Sequence, residues 1–340
     1  MKIGIVNDTE MAAMAIAAAL SSGGRHDVVW TARSGEEALG LCRANLPDLV
    51  LMDLVMPGMN GVETTRRIMA STPTAILVVT ASVEGNCSLA FQAMGEGALD
   101  AIATPALAHS SGQSAFLNKI SQIGAIVAED AKSFPSAIPF SGTPSSGTPL
   151  SASAVVAIGS SAGGPAALAE ILEKLPPKPA AAIVIIQHID VRFVDELAAW
   201  LNTRSTNPVQ IVREGDTLRP GIIYLAGKDG HLEALPNARL HYTRSPINLA
   251  YQPSVDVFFS SVARVWGPRA MGVILTGMGR DGAVGLKTMR DADALTVAQD
   301  RSTCALYGMP KAAALAGAAA EILPLQKIQP RISRWIDERK

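Results

Sequence analysis

Three polar residues in the second half of this 340-residue chain have the types and surroundings that nucleophilic catalysis needs. Ser161 lies in Gly159-x-Ser161-x-Gly163, a spacing that presents a serine hydroxyl on a tight strand-to-helix turn above a sheet. The flanking glycines permit the turn and a close substrate approach. A serine nucleophile needs a base, and the base needs an orienting acid. Among five histidines, His188 follows the apolar run Ile183–Ile186, which puts it at a strand's carboxyl end on the same edge as Ser161. Asp281 lies in the glycine-laden loop Leu275–Gly282, close to the start of a helical pattern, where a helix N-terminus favours the ionised carboxylate. Backbone N–H groups in that loop, such as that of Met278, are candidates for an oxyanion hole.

Each of these signals is bland alone. Glycine- and serine-rich turns commonly follow strands, a lone histidine is more often structural, and Asp281 read singly is a helix cap. A phosphate cradle of the GxGxxG type does not fit, because Ser161 occupies the second glycine position. The order serine, acid, histidine used by α/β-hydrolases would instead require His231 or His241 as base, with an upstream acid such as Asp229. That choice is less attractive because His231 and His241 flank a polar hairpin expected to be exposed.

A second group gathers near the N-terminus. Ligands of open parallel sheets sit beyond the carboxyl ends of the strands, and those ends carry Asn7 and Asp8, then Asp53, then Thr80, then Thr104. Carboxylate oxygens with waters suit a hard cation such as Mg²⁺, and a carboxylate beside it could accept a phosphoryl group. Taken one at a time, Asp8 reads as a helix cap and Asp53 as the start of a loop.

The elements that must position these residues follow from alternating short apolar runs and longer helical patterns, the signature of parallel α/β sheets. In the first half, strands are expected near Ile3–Val6, Val28–Thr31, Leu49–Met52, Ile76–Val79 and Ala101–Ala103, forming a five-stranded doubly wound domain. In the second half they are expected near Val155–Ile158, Ile183–Gln187, Gln210–Val212, Ile222–Leu225, Gly272–Leu275 and Leu295–Ala298, with the hairpin His231–Thr243 interrupting the alternation. Between the halves, Ser133–Ser153 holds 15 Ser, Thr, Gly or Pro among 21 residues, too little apolar surface to offset the entropy of ordering. The organisation expected is residues 1–130 as one domain, 131–152 as a flexible linker and 153–340 as a second domain.

Composition narrows the function classes. Lys+Arg is 29 against 30 Asp+Glu, a net charge of -1, which removes the electrostatic reason to expect a nucleic-acid or anionic-membrane partner. Aromatic residues are 4%, too few for base-stacking platforms. Cys42, Cys87 and Cys304 form no close pair, which fits a reducing cytosol. The longest apolar run, Met11–Leu20, is too short to span a bilayer and reads as a buried Ala-rich helix. The opening MKIGIVND is polar where a signal peptide is apolar, so a cytoplasmic location without membrane insertion is expected.

The run Leu49-Val50-Leu51-Met52-Asp53-Leu54-Val55-Met56-Pro57-Gly58-Met59-Asn60-Gly61 resembles the response-regulator receiver domain around its phosphorylated aspartate, over roughly residues 1–125. The resemblance implies a (βα)5 receiver with Asp53 as phosphoacceptor, Asp8, Asp53 and the Val55 carbonyl as Mg²⁺ ligands, and Thr80 as switch hydroxyl. Three positions depart from that pattern. Asn7 stands where a second acid is usual, Thr104 where a lysine pairs with the phosphate, and Ala101 where a switch aromatic is usual; losing the cation weakens the link from phosphorylation to conformation.

In the second half, Gly159–Pro165, Ile186-Gln187-His188, Pro253-Ser254-Val255-Asp256-Val257, Leu275–Gly282 and Tyr307-Gly308-Met309-Pro310 together resemble the CheB protein-glutamate methylesterases, over most of residues 153–325. Asn7-Asp8 and Thr104-Pro105-Ala106-Leu107 are similar to the Wsp-type branch. Ala162 replaces a common threonine, and Gln252 a common arginine. The resemblance implies a doubly wound, mainly parallel α/β esterase domain with Ser161, His188 and Asp281 as triad. It implies hydrolysis of glutamyl γ-methyl esters on a methyl-accepting chemoreceptor, extending in the family to deamidation of receptor glutamines. It also implies phosphorylation by a CheA-type histidine kinase and no cofactor for the esterase. An unphosphorylated receiver is expected to restrain the enzyme. Two rival readings are a non-catalytic receptor-docking scaffold, which would need no triad, and a transcription regulator, for which no basic recognition helix is evident.

Overall fold

The computed structural model describes residues 1–22, 26–80, 83–105, 116–121, 123–124, 154–228, 230–237, 239–246, 249 and 251–339. The chain divides into two compact units, residues 1–132 and 133–340. The expected linker, residues 131–152, lies outside the described residues, as does Asp229.

In the first unit, strands β1 (Lys2–Val6), β2 (Asp27–Ala32), β3 (Leu49–Met52), β4 (Ala75–Thr80) and β5 (Asp100–Ala103) pair in parallel in the order β2-β1-β3-β4-β5. Central β3 is buried along its whole length, so it reads as an unbroken run of Leu49, Val50, Leu51 and Met52 rather than as an alternation. The chain reverses its direction of travel across the sheet between β1 and β3, and a crevice opens there at the carboxyl ends. The helix Glu10–Ser22 departs from expectation: Ala13, Ile16 and Leu20 are buried, but Met11 is 75% and Met14 66% exposed. A helix layered on a sheet buries one stripe only, and small alanines hid that polarity in the sequence.

In the second unit, β6 (Val155–Ser160), β7 (Ala182–Gln187), β8 (Val209–Ile211), β9 (Ile223–Leu225), β12 (Ala270–Ile274), β13 (Leu295–Gln299) and β14 (Glu321–Leu323) form a parallel sheet in the order β14-β13-β12-β6-β7-β9-β8. β6, β7 and β12 are buried throughout, whereas the edge strands β8 and β14 are only partly so. The sheet grows in opposite directions from β6, towards β7 on one side and β12 on the other, so the crevice between β6 and β12 is where a site belongs.

A separate antiparallel hairpin, β10 (His231–Ala234) with β11 (Leu240–Thr243), covers the helix Val255–Trp266. It is not the exposed polar hairpin expected. His231 and Leu232 are fully buried, and the Ala234 N–H donates to the Ser261 hydroxyl on that helix at 2.9 Å. One face carries Leu232, Ala234 and Leu240 into a core that includes Phe258, Phe259 and Trp266, while His231, on the opposite face, is held by the Pro246 carbonyl and the Ser254 N–H. Phe259 also touches the nucleophile strand, because a Cβ placed on Gly159 would come within 3.3 Å of its ring tip and 2.4 Å of Val255. Phe259→Ala is expected to lower the stability of the second unit by about 3–5 kcal/mol. A lower urea midpoint at unchanged slope is the measurement that checks it.

Candidate active site

Ser161, His188 and Asp281 come from the carboxyl ends of the adjacent strands β6, β7 and β12. β6 ends at Ser160, and the left-handed Gly163 (φ 73) turns the chain into the helix Gly164–Glu173 with Pro165 in its first turn. The Ser161 N–H donates to the Thr276 carbonyl at 3.1 Å, and the Thr276 hydroxyl donates to the Ala162 carbonyl at 3.0 Å. The serine's own N–H is therefore already engaged. Gln187 ties the two strand ends together: its amide donates to the carbonyls of Ser161 (2.8 Å) and His188 (3.1 Å), and its oxygen accepts from the Ser160 hydroxyl at 2.6 Å. The His188 N–H donates to the Ser160 carbonyl at 2.9 Å. Ser160, Ser161, Gln187, His188 and Thr276 are all buried, so these bonds are strong constraints on where the serine and histidine sit.

His188 and Asp281 meet directly, Nε2 to Oδ2 at 2.8 Å. Nδ1 of His188 is buried with no hydrogen-bond partner among the described residues. The edge of the ring turned from the acid is thus the one with unused capacity, and catalytic hydrogen bonds often tighten only once substrate is bound.

Asp281 is capped differently from expectation. It lies two residues before the helix Ala283–Asp291, but its carboxylate caps the helix Val255–Trp266. Oδ2 accepts from the Val255 N–H at 2.7 Å, while Oδ1 accepts from the Ser254 hydroxyl at 2.8 Å and the Asp256 N–H at 3.1 Å. Burial pushes this carboxyl up, but the His188 bond, the His188 charge and the helix N-terminal donors outweigh it and hold it below the ordinary range. Ser254 is fixed in turn by His231, whose Nδ1 accepts the Ser254 N–H at 3.1 Å while Nε2 donates to the Pro246 carbonyl at 3.0 Å. Both His231 nitrogens are committed, so His231 holds the cap and is not placed to act as base. His241 is partly exposed and bonds Glu214 at 2.6 Å, on the far strand of the hairpin.

Asp256 went unrecognised in the sequence as part of this group. Burial and then the adjacent Asp281 charge push its carboxyl up to about 7, against a donated Gly285 N–H at 2.7 Å. The Gly277–Met278 backbone packs on the nucleophile: a Cβ on Gly277 would lie 2.8 Å from the Ser161 Cβ, and the Gly277 carbonyl is held by the N–H groups of Gly308 and Met309. That places the Met278 peptide beside the serine.

In the first unit, Asp53 is half-buried; its Oδ1 accepts from the Leu54 N–H at 2.7 Å and its Oδ2 from the Asn7 amide at 3.0 Å. Burial raises the Asp53 carboxyl, the Leu54 and Val55 N–H groups lower it, and the negative charge of exposed Asp8 raises it again. Val55 is 53% exposed. Thr80 is buried and accepts from the Asn86 amide at 2.9 Å, and the Thr104 N–H donates to the Thr80 carbonyl at 2.9 Å. Asn7, Asp8, Asp53 and Thr80 thus share one sheet edge.

Residues 156–332 match the CheB methylesterase family, and residues 3–109 match the response regulator receiver domain. The chain belongs to the CheB methylesterase family. It is 48% identical over 341 residues, 99% of this chain and all of the relative, to protein-glutamate methylesterase/protein-glutamine glutaminase 3 of Pseudomonas aeruginosa. It is 50% identical to protein-glutamate methylesterase/protein-glutamine glutaminase 1 of Pseudomonas fluorescens, across 98% of both chains. The crystal structure of the Thermotoga maritima CheB methylesterase catalytic domain aligns with a TM-score of 0.51 at 33% identity, covering 54% of this chain and 98% of that one. This CheB-family chain is therefore a hydrolase preceded by a receiver domain, with an α/β fold in both parts.

The Asp256–Asp281 pair generates a pH prediction. A carboxyl raised by folding favours the folded state while protonated and opposes it once ionised, so that contribution is lost as pH rises through about 7. Asp256→Asn keeps an oxygen for Gly285 and removes the charge. The variant is expected to gain most thermal stability over the natural protein at pH 8.5, clearly less at pH 5.5, and little or none at or below pH 3.8, where the carboxyl is protonated in both states, read by calorimetry at the three values.

Proposed function

We propose that this protein is a phosphorylation-regulated protein-glutamate methylesterase acting on methyl-accepting chemoreceptors, with glutamine deamidation as a second reaction of the same site. Ser161 Oγ attacks the γ-ester carbonyl while His188 Nδ1 takes the hydroxyl proton. The developing oxyanion is met by the Met278 N–H. His188 then passes its proton to the departing methoxide, releasing methanol and leaving an acyl-enzyme. Water, deprotonated by the same nitrogen, attacks the acyl carbonyl; the proton returns to Ser161 as glutamate leaves. With a glutamine substrate the leaving group is ammonia. Asp281 keeps the imidazole oriented and its proton on Nε2. The observation that carries this reading is the His188–Asp281 bond, which leaves a buried Nδ1 unused at the strand end next to Ser161. A docking scaffold would not require a capped, buried acid on a histidine, and among the described residues the basic recognition helix of a transcription regulator has no counterpart.

The receiver reading assigns Asp53 as phosphoacceptor from a CheA-type histidine kinase, with Thr80 and Thr104 as switch hydroxyls. The like-charged Asp8 and Asp53, whose mutual repulsion raises Asp53, fit a divalent cation between them. Asp8, Asp53 and the Val55 carbonyl would hold Mg²⁺, which shields the negative charge of an incoming phosphoryl group. The Asn7 amide already donates to Asp53, so this site carries one negative charge fewer than two acids at positions 7 and 8 would give. The Asn7-Asp8 and Thr104-Pro105 pairs favour the Wsp-type branch, and a cytoplasmic location suits a receptor-facing enzyme; among the described residues no helix is long and apolar enough to cross a membrane.

With methylated receptor as substrate, Ser161→Ala is expected to reduce methanol release at least about 10⁴-fold. Near-normal turnover by that variant would contradict the assignment. His241→Gln is expected to stay within about two-fold of the natural protein, separating the two candidate bases. A small-molecule phosphodonor is expected to stimulate the full chain and to leave Asp53→Asn unstimulated in the same assay; equal stimulation of both would remove Asp53 from the regulatory path.

A further inference from the structure

Tyr251 lies flat against His188, with ring centroids 4.4 Å apart and planes within 4° of parallel. It stands three residues ahead of the Ser254 cap, so the segment that supports Asp281 also delivers an aromatic face to the histidine that Asp281 holds. Room for the phenol comes from Gly279. That residue has φ 77, and a Cβ on it would come within 3.2 Å of the tyrosine oxygen.

The other restraints on His188 act on its backbone and on one ring edge. Its N–H is tied to Ser160, its carbonyl accepts from Gln187, and Nε2 meets Asp281. None of these covers a ring face. The stack does so, and it opposes rotation of the imidazole out of the plane in which it meets Asp281.

The stack also has a consequence that depends on charge. An aromatic face carries negative potential, so it attracts a cation lying over it more than a neutral ring of the same shape. In the proposed reaction His188 gains a positive charge each time it takes the serine or water proton. An interaction that strengthens between ground state and transition state raises kcat, whereas one that is equal in both changes KM alone.

We infer that Tyr251 is a positioning residue of the esterase reaction, its ring face stabilising the His188 imidazolium formed in both half-reactions. The inference rests on His188 being the base of the proposed function.

The test uses the full chain and methylated receptor, with kcat and KM determined separately. Tyr251→Leu is expected to lower kcat about three- to thirty-fold while KM moves less than about two-fold. Tyr251→Phe, which restores the ring without the hydroxyl, is expected to recover most of that loss. Because the leucine variant could instead disturb folding, a second series replaces Tyr251 by mono-, di- and trifluorophenylalanine, which keep the ring's shape and progressively drain its face of negative potential. A stepwise fall in kcat along that series supports the inference, since a purely steric role predicts a flat line. A flat series, or a raised KM with kcat unchanged, overturns it. Ser161→Ala run alongside separates the two levels. If that variant is inactive and the series is flat, only the role of Tyr251 falls; if it remains active, the triad and this inference fall together.

Discussion

A buried carboxylate at the N-terminus of a helix holds this site together. Asp281 is an acid in an apolar setting, held ionised first by His188 and then by the first turn of the helix Val255–Trp266, which gives it the Val255 and Asp256 N–H groups and the Ser254 hydroxyl. Each of those donors would be an orphan at the helix end without it, so cap and acid satisfy one another. His188 takes the remaining lone pair. Remove the helix end and the His188 bond would be left to offset the desolvation cost of a buried charge, which in a protein interior is several kcal/mol.

Close backbone approach supplies the second constraint. Gly159 faces Val255 and Phe259, Gly277 faces Ser161 and Met309, and Gly285 faces Asp256 and Phe259, each with space for a hydrogen and none for a methyl. These contacts bring three strand ends and one helix N-terminus within hydrogen-bond reach. The Thr276 and Gln187 side chains then lock the nucleophile turn from opposite sides, through the Ala162 and Ser161 carbonyls. The resulting geometry is preorganised by buried polar bonds that would each be costly to leave unmade.

Much of this was legible in the sequence because parallel strands buried on both faces are written as continuous apolar runs. Val155–Ile158 and Ile183–Gln187 announce β6 and β7, and Ser161 and His188 each follow directly on the strand's carboxyl end. Short edge strands carry no such run, which is why β14, with Glu321 and Ile322 partly exposed, was not foreseen. The burial of His231 was missed because a count of polar residues does not say which face of a hairpin meets a helix. The capping of Asp281 by a helix 25 residues earlier is a non-local fact, invisible to any local rule. Ser254 and Asp256 could have been suspected from the Pro253-Ser254-Val255-Asp256 string, which reads as a helix start, but nothing local names the carboxylate that a helix start will hold.

The central claim is that Ser161 is the residue that becomes covalently bonded during turnover, and it can be read directly. The full chain would be mixed with methylated receptor, acid-quenched within a turnover, digested and analysed by mass spectrometry. The account predicts a γ-glutamyl adduct on the peptide containing Ser161. That adduct should be absent when Ser161 is replaced by alanine. An adduct mapped to any other residue, or normal methanol release from the alanine variant with no adduct anywhere, would contradict it.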